Sequence, residues 1–139
     1  MASFNKFNSF TEAIAEKKHD LGADTLKVAL SNTLPVASNT VLANITQISG
    51  TNGYTTGGTQ ATISSSAQTS GTYKLVLADV TFTASGGSIG PFQYAVLYND
   101  TATNDELIGW YDYGSALTIT NGNAFVVDFD ASSGVLTIT

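Results

Sequence analysis

The spacing of apolar residues changes once along the chain. Phe7, Phe10 and Ile14 recur three and four residues apart, with Glu12, Glu16 and Lys18 around the rest, and this predicts one N-terminal amphipathic helix over about residues 5–19. Ser3 or Asn5 is placed to cap it, and Gly22, preceded by His19 and Asp20, to stop it. From Thr25 the period becomes two. Leu26, Val28 and Leu30 alternate with Lys27 and Ala29, and Asn32-Thr33-Leu34-Pro35 ends that strand in a turn. Val41 to Ile45 reads as one helical turn capped by Asn39 or Thr40, Gly50 to Gly58 as a long loop, residues 60–64 as a short strand, and Ser64 to Gly71 as a second polar loop.

Tyr73 to Ala84 holds two inward parities. Tyr73, Leu75 and Leu77 share one and Val80 and Phe82 the other, which predicts a bulge or a sheet-to-sheet corner at Ala78-Asp79. After the turn Ser85 to Pro91, the run Phe92 to Tyr98 is apolar on both parities, as is Leu107 to Tyr111. Strands of that kind are covered on both faces, at the centre of a sandwich or under a partner subunit. Leu117 and Ile119 precede Asn121-Gly122, a hairpin signal, and Phe125, Val127 and Phe129 face opposite to Asp128 and Asp130. Ser132-Ser133-Gly134 turns into a last strand, Val135 to Thr139. Seven or eight short strands with turns every 8 to 12 residues or so predict an all-β fold. The expectation is an antiparallel β-sandwich or barrel, jelly-roll-like or immunoglobulin-like, with one helix, in a single domain over residues 1–139.

Composition narrows the function classes. Only 12% of the 139 residues are charged, against roughly 25% in ordinary domains. The polar quota is met by 34 Ser and Thr, 13 Gly and 10 Asn. The net charge is −6, and all five basic residues are lysines. Without arginine, and with one lysine (Lys74) against seven acids after residue 30, the chain is poorly suited to neutralising phosphates, so no nucleic-acid partner is expected. No apolar run approaches the ~18 residues of a membrane span, and the N-terminal residues lack the apolar core of a secretory leader. Synthesis in a cytoplasm and no membrane partner are the expectation.

Candidate chemistry is sparse. There is no cysteine for a disulfide, a thiolate metal site or a nucleophile, and the lone His19 lies at the predicted helix end, where a structural role is favoured. No serine sits in a Gly-x-Ser-x-Gly elbow, and Gly86-Gly87-Ser88-Ile89-Gly90 lacks the lysine and following helix of a phosphate cradle. Asp128 and Asp130 read as a solvated strand face. No catalytic residue and no cofactor are expected. Asn99 to Glu106 is the densest oxygen-ligand run, but it lacks calcium-loop spacing and reads as a hairpin loop. Trp110, Tyr111 and Tyr113 are the best interface candidates: Trp110 has the opposite parity to the two tyrosines, so one set is expected inside and the other free for a partner. Phe7, Phe10 and Ile14 could pack on the sandwich or dock elsewhere. Val135 and Ile138, in the last strand, could pair with a neighbour's open edge.

Gly90-Pro91-Phe92-Gln93-Tyr94-Ala95-Val96-Leu97-Tyr98-Asn99-Asp100-Thr101, continuing through Leu107 to Gly114, resembles a pattern in small structural proteins of tailed bacteriophages. Asp24 to Thr33 is similar to the first strand of those proteins. The resemblance implies a virion component. An acidic, arginine-free body argues against lining a DNA-filled interior. The expectation is therefore an outer-surface capsid decoration, or cement, protein that binds the major capsid protein and is itself a homo-oligomer, dimer or trimer. A tail or baseplate component is the alternative. A carbohydrate- or receptor-binding module using Trp110 and Tyr113 is a further one.

Overall fold

The computed structural model describes residues 2–139. In chain order its elements are β1 (Ser3–Lys6), α1 (Ser9–Ala15), β2 (Leu26–Ser31), a 3₁₀ turn (Leu42–Asn44), β3 (Thr59–Ala61), β4 (Ile63–Thr69), β5 (Thr72–Leu77), β6 (Val80–Thr83), β7 (Ile89–Asn99), β8 (Leu107–Ile119), β9 (Ala124–Val127) and β10 (Leu136–Ile138). All strand pairs are antiparallel. A five-stranded sheet has the order β1-β8-β7-β2-β3; β10-β5-β4 and β6-β9 form two smaller sheets. The five-stranded sheet and the smaller ones enclose a common apolar core, and among the described residues no sheet closes into a barrel.

β7 is central, and both its faces are covered from within the chain. Phe92, Ala95 and Leu97 meet Leu75, Leu77, Val80, Phe82 and Phe129 in the main core. Tyr94, Val96 and Tyr98 belong to a second cluster with Phe7, Ile45, Leu107 and Trp110, flanked by Ala37 and Leu42. The doubly apolar run thus needs no second subunit. A bulge helps β8 serve both clusters. Leu97 pairs with Gly109 and Tyr98 with Leu107, so Ile108 is the extra residue, and Ile108 and Trp110, two positions apart, reach opposite faces. Each large side chain buried this way contributes about 1.5–3 kcal/mol.

The N-terminal helix is shorter than its spacing predicts. Residues 3–6 form an edge strand on β8, with Ser3 opposite Asp112 and Lys6 opposite Gly109, and Phe4 places its ring 5.3 Å from Tyr111. Phe7 lies before the helix, not on its stripe, and packs on Trp110 at 4.6 Å. Neither Ser3 nor Asn5 is the cap; Asn8 holds that position without a side-chain bond. The helix stops well before Gly22. Lys17 adopts a left-handed conformation (φ 65), its N–H bonds Ile14 O, and Lys18 N–H bonds Ala13 O, a Schellman closure made without glycine.

Three other expectations are corrected. Ser64 to Gly71 is mostly strand: β4 pairs with β5 through a two-residue turn in which Ser70 and Gly71 both have positive φ (51 and 84). β4 is an exposed edge and therefore lacks the apolar alternation that marks a half-buried strand. Asn121-Gly122 is a turn but closes no hairpin, because β9 pairs with β6 in another sheet. The helical turn at Leu42–Asn44 is real, but neither Asn39 nor Thr40 caps it; Asn44 Oδ1 accepts the N–H groups of Thr40 and Val41. The corner at Ala78-Asp79 is present, between β5 and β6, with Asp79 Oδ1 accepting Phe129 N–H at 2.9 Å.

Beyond Val28, the edge of β2 is completed by a loop rather than a strand. Tyr54 Oη accepts Leu30 N–H (3.1 Å) and donates to Gln47 Oε1 (2.7 Å), which also accepts Gly57 N–H. Burial raises the Tyr54 hydroxyl above its ordinary range. Gly58, at φ 79, lies so close that a Cβ there would overlap the Val28 carbonyl oxygen. Gly58→Ala is therefore expected to lower stability by more than ~2 kcal/mol. Gly71→Ala, at a similar φ but facing open space, should cost only about 1 kcal/mol of left-handed strain. Urea unfolding of the two variants checks the difference.

Candidate interaction surface

Strand register brings three uncharged stretches to one end of the molecule. No charged residue occurs between Lys27 and Lys74, between Asp79 and Asp100, or between Asp112 and Asp128. Ile89 pairs with Ile119 at one end of β7, and Leu26 with Asn99 at the other. In the smaller sheet Thr83 pairs with Ala124, away from Asp79 and Asp128. Hydrogen bonds then tie the end loops together. Gly122 N–H bonds Ala84 O (2.9 Å), Gly86 N–H bonds Asn121 Oδ1 (3.1 Å), and Asn52 Nδ2 donates to Ser88 O (3.0 Å). Asn32, Thr33 and Ser49 face Gly90 and Pro91 across a shallow cleft of about 300 Å³.

This end exposes hydroxyls, amides and glycine backbone without a formal charge. Leu34 and Val36, 61% and 55% exposed, follow Asn32 and Thr33 of this cleft in sequence, on either side of the buried Pro35. The nearest charge on β8 is Asp112, opposite Tyr94, whose carboxylate accepts Gln93 Nε2 (3.0 Å) and Gly114 N–H (2.8 Å) and is thereby held below its usual pKa. Lys18, Asp20, Asp24, Lys27, Asp100 and Glu106 lie toward the opposite end, where Lys27 pairs with Asp100 at 3.1 Å. An uncharged surface can be buried against a partner without stripping water from an ion, a step that costs several kcal/mol per unpaired charge.

The interface residues expected from the sequence are mostly interior. Phe7, Phe10, Trp110, Tyr111 and Val135 are all at most 8% exposed. Trp110 and Tyr111 do point to opposite faces, but the chain covers both: Trp110 by Phe7 and Tyr111 by Phe4 and Phe129. Tyr113 is half-buried against Phe92 and Phe125, and burial pushes its hydroxyl up to about 12. Ile14 is half-buried, and Ile138, at 39%, is exposed on β10, an edge strand of its sheet. Trp110 therefore offers no stacking platform for a sugar.

The Asn99 to Glu106 loop is tied into the protein. Asn99 Oδ1 accepts Thr101 and Ala102 N–H, and Glu106 Oε2 accepts Asn104 N–H. Among the described residues no group of three His, Cys, Asp or Glu stands close enough to hold a metal ion, and no helix is long and apolar enough to cross a membrane.

No protein-family model, curated protein or solved structure matches the chain. Since Trp110 is the only tryptophan and sits against Phe7, its emission is expected to be blue-shifted, shielded from iodide and unchanged by a panel of neutral glycans. Red-shifted emission readily quenched by iodide would contradict this packing.

Proposed function

We propose that the chain is a structural component of a tailed-bacteriophage virion: a capsid decoration, or cement, protein seated in many copies on the outer face of the major capsid shell. It acts by binding, without catalysis or cofactor. The observation that carries this reading is the segregation of charge. One end can be desolvated at low cost, while the acidic end stays in water and keeps like-charged copies soluble. The resemblance of Gly90 to Thr101 and Leu107 to Gly114 to phage structural proteins supplies the kind of particle. The acidic, arginine-free composition favours its outside over its DNA-filled interior.

The two-sided burial of β7 removes one argument for a neighbouring subunit, because the chain covers that strand itself. Contact with the shell is instead assigned to the uncharged end, with Leu34 and Val36 as its apolar contribution. Such contact should depend little on salt, since no ion pair is exchanged in forming it.

Quantitative mass spectrometry of purified particles is expected to find the chain in numbers comparable to the major capsid protein. A few copies per particle would move it to the tail or baseplate. Ser88→Lys and Thr118→Lys, both exposed at the uncharged end, should lower shell occupancy about tenfold or more, whereas Thr103→Lys at the acidic end should not. Equal occupancy of all three variants would remove the uncharged end as the contact.

A further inference from the structure

The opposite end of the molecule holds a hydrogen-bond network whose donors and acceptors can be assigned without ambiguity. Asn99, the last residue of β7, is fully buried. Its Oδ1 accepts Thr101 N–H (3.0 Å) and Ala102 N–H (3.2 Å), and backbone amides can only donate, so the orientation of the Asn99 amide is fixed. Its NH₂ group therefore faces Asp24 Oδ2 (2.7 Å) and His19 Nδ1 (3.0 Å). Asp24 Oδ2 also accepts Asp20 N–H at 2.8 Å. An NH₂ only donates, so Nδ1 of His19 must be the nitrogen carrying the lone pair. The proton of the neutral ring lies on Nε2, which is buried with no partner. The ring is 6% exposed and stacks on Phe10 at 5.4 Å.

A second proton on this ring has nowhere to go. It would enter on Nδ1 and meet the Asn99 NH₂ donor to donor. Asn99 cannot flip in response, because its NH₂ would then face the N–H groups of Thr101 and Ala102. We propose that His19 is an acid-released latch: neutral, it joins α1 and the 16–25 connection to the 99–106 loop, and protonated it lets those segments part. The charged groups around the ring come from two segments, the 16–25 connection and the 99–106 loop. Asp24 and Glu106 favour the imidazolium, Lys18 opposes it, and burial among Phe10 and Asn99 outweighs the two acids and holds the ring below its ordinary value of 6.5.

The direction of the pH effect follows. The unfolded chain takes up the proton near 6.5 and the folded chain only at lower pH, so the contribution of the latch is complete above about pH 7 and declines as pH falls below 6.5. Asp105 in the same loop, raised by partial burial and by Asp100 and Glu106, titrates as a carboxylate, so a variant without the imidazole separates the two effects. The latch is a property of the chain itself and does not depend on what the uncharged end binds.

Because His19 is the only histidine, ¹⁵N and ¹³C NMR of the ring in the full chain reads its tautomer and midpoint directly. The Nε2–H tautomer and a midpoint below 6.5 are expected. Hydrogen exchange, corrected for intrinsic rate, should show segments 16–25 and 100–106 losing protection about tenfold or more across that midpoint, with β2 and β7 unchanged. His19→Gln, whose side-chain oxygen can accept from Asn99 without titrating, should hold that protection flat. An Nδ1–H tautomer, a midpoint at or above 6.5, or the same loss of protection in His19→Gln would overturn the latch. The wild-type tautomer and midpoint decide the matter even if the variant fails to fold.

Discussion

A strand with apolar side chains on both parities cannot meet water on either face, and β7 is such a strand for most of its length. The chain has to build two covers. One is the pair of small sheets, which supply Leu75, Leu77, Phe82 and Val127. The other has no regular sheet: Phe7 and the 3₁₀ segment around Leu42 and Ile45 close over Tyr94, Val96 and Trp110. Much of the rest follows from that need. The short helix allows Phe7 to turn inward ahead of it, the bulge at Ile108 lets β8 serve both covers, and Tyr54 completes an edge that no strand reaches.

Those covers also shape the surface. With the large aromatics committed to the interior, what remains outside is Ser, Thr, Asn and Gly, and the few charges gather away from the loops around Ile89 and Ile119. One end is therefore neutral and cheap to desolvate, while the other carries ions and a buried histidine. The two ends differ in how they respond to solution conditions. On the proposals above, contact at the first would be governed by shape and packing, and order at the second by proton concentration.

The alternation in β2, the corner at Ala78-Asp79 and the burial of Phe92 to Tyr98 were legible in the sequence because each is a local pattern with one physical cause. The helix was only partly legible: Phe7, Phe10 and Ile14 satisfy helical spacing, yet pairing of Ser3–Lys6 with β8 claims the first of them for another cluster. β4 was hidden because an edge strand facing water needs no apolar alternation. Asn121-Gly122 misled because a turn signal reports the turn and not which strands it joins. The uncharged end was present in the sequence as three charge-free stretches, but only register shows that they meet. The His19 network joins residues eighty positions apart and leaves no local trace.

The Ser70-Gly71 turn lies at the tip of an exposed hairpin whose Ser66 and Tyr73 stand near Gly22 and Ile138. A Cβ at Gly71 meets nothing, and no apolar cluster includes either turn residue. Added length there would disturb neither cover of β7 and would project from the side of the molecule away from the neutral loops. The hairpin is thus a natural point for grafting a foreign peptide, and if the chain decorates a particle through its neutral end as proposed, each copy would present that peptide outward in a dense, regularly spaced array.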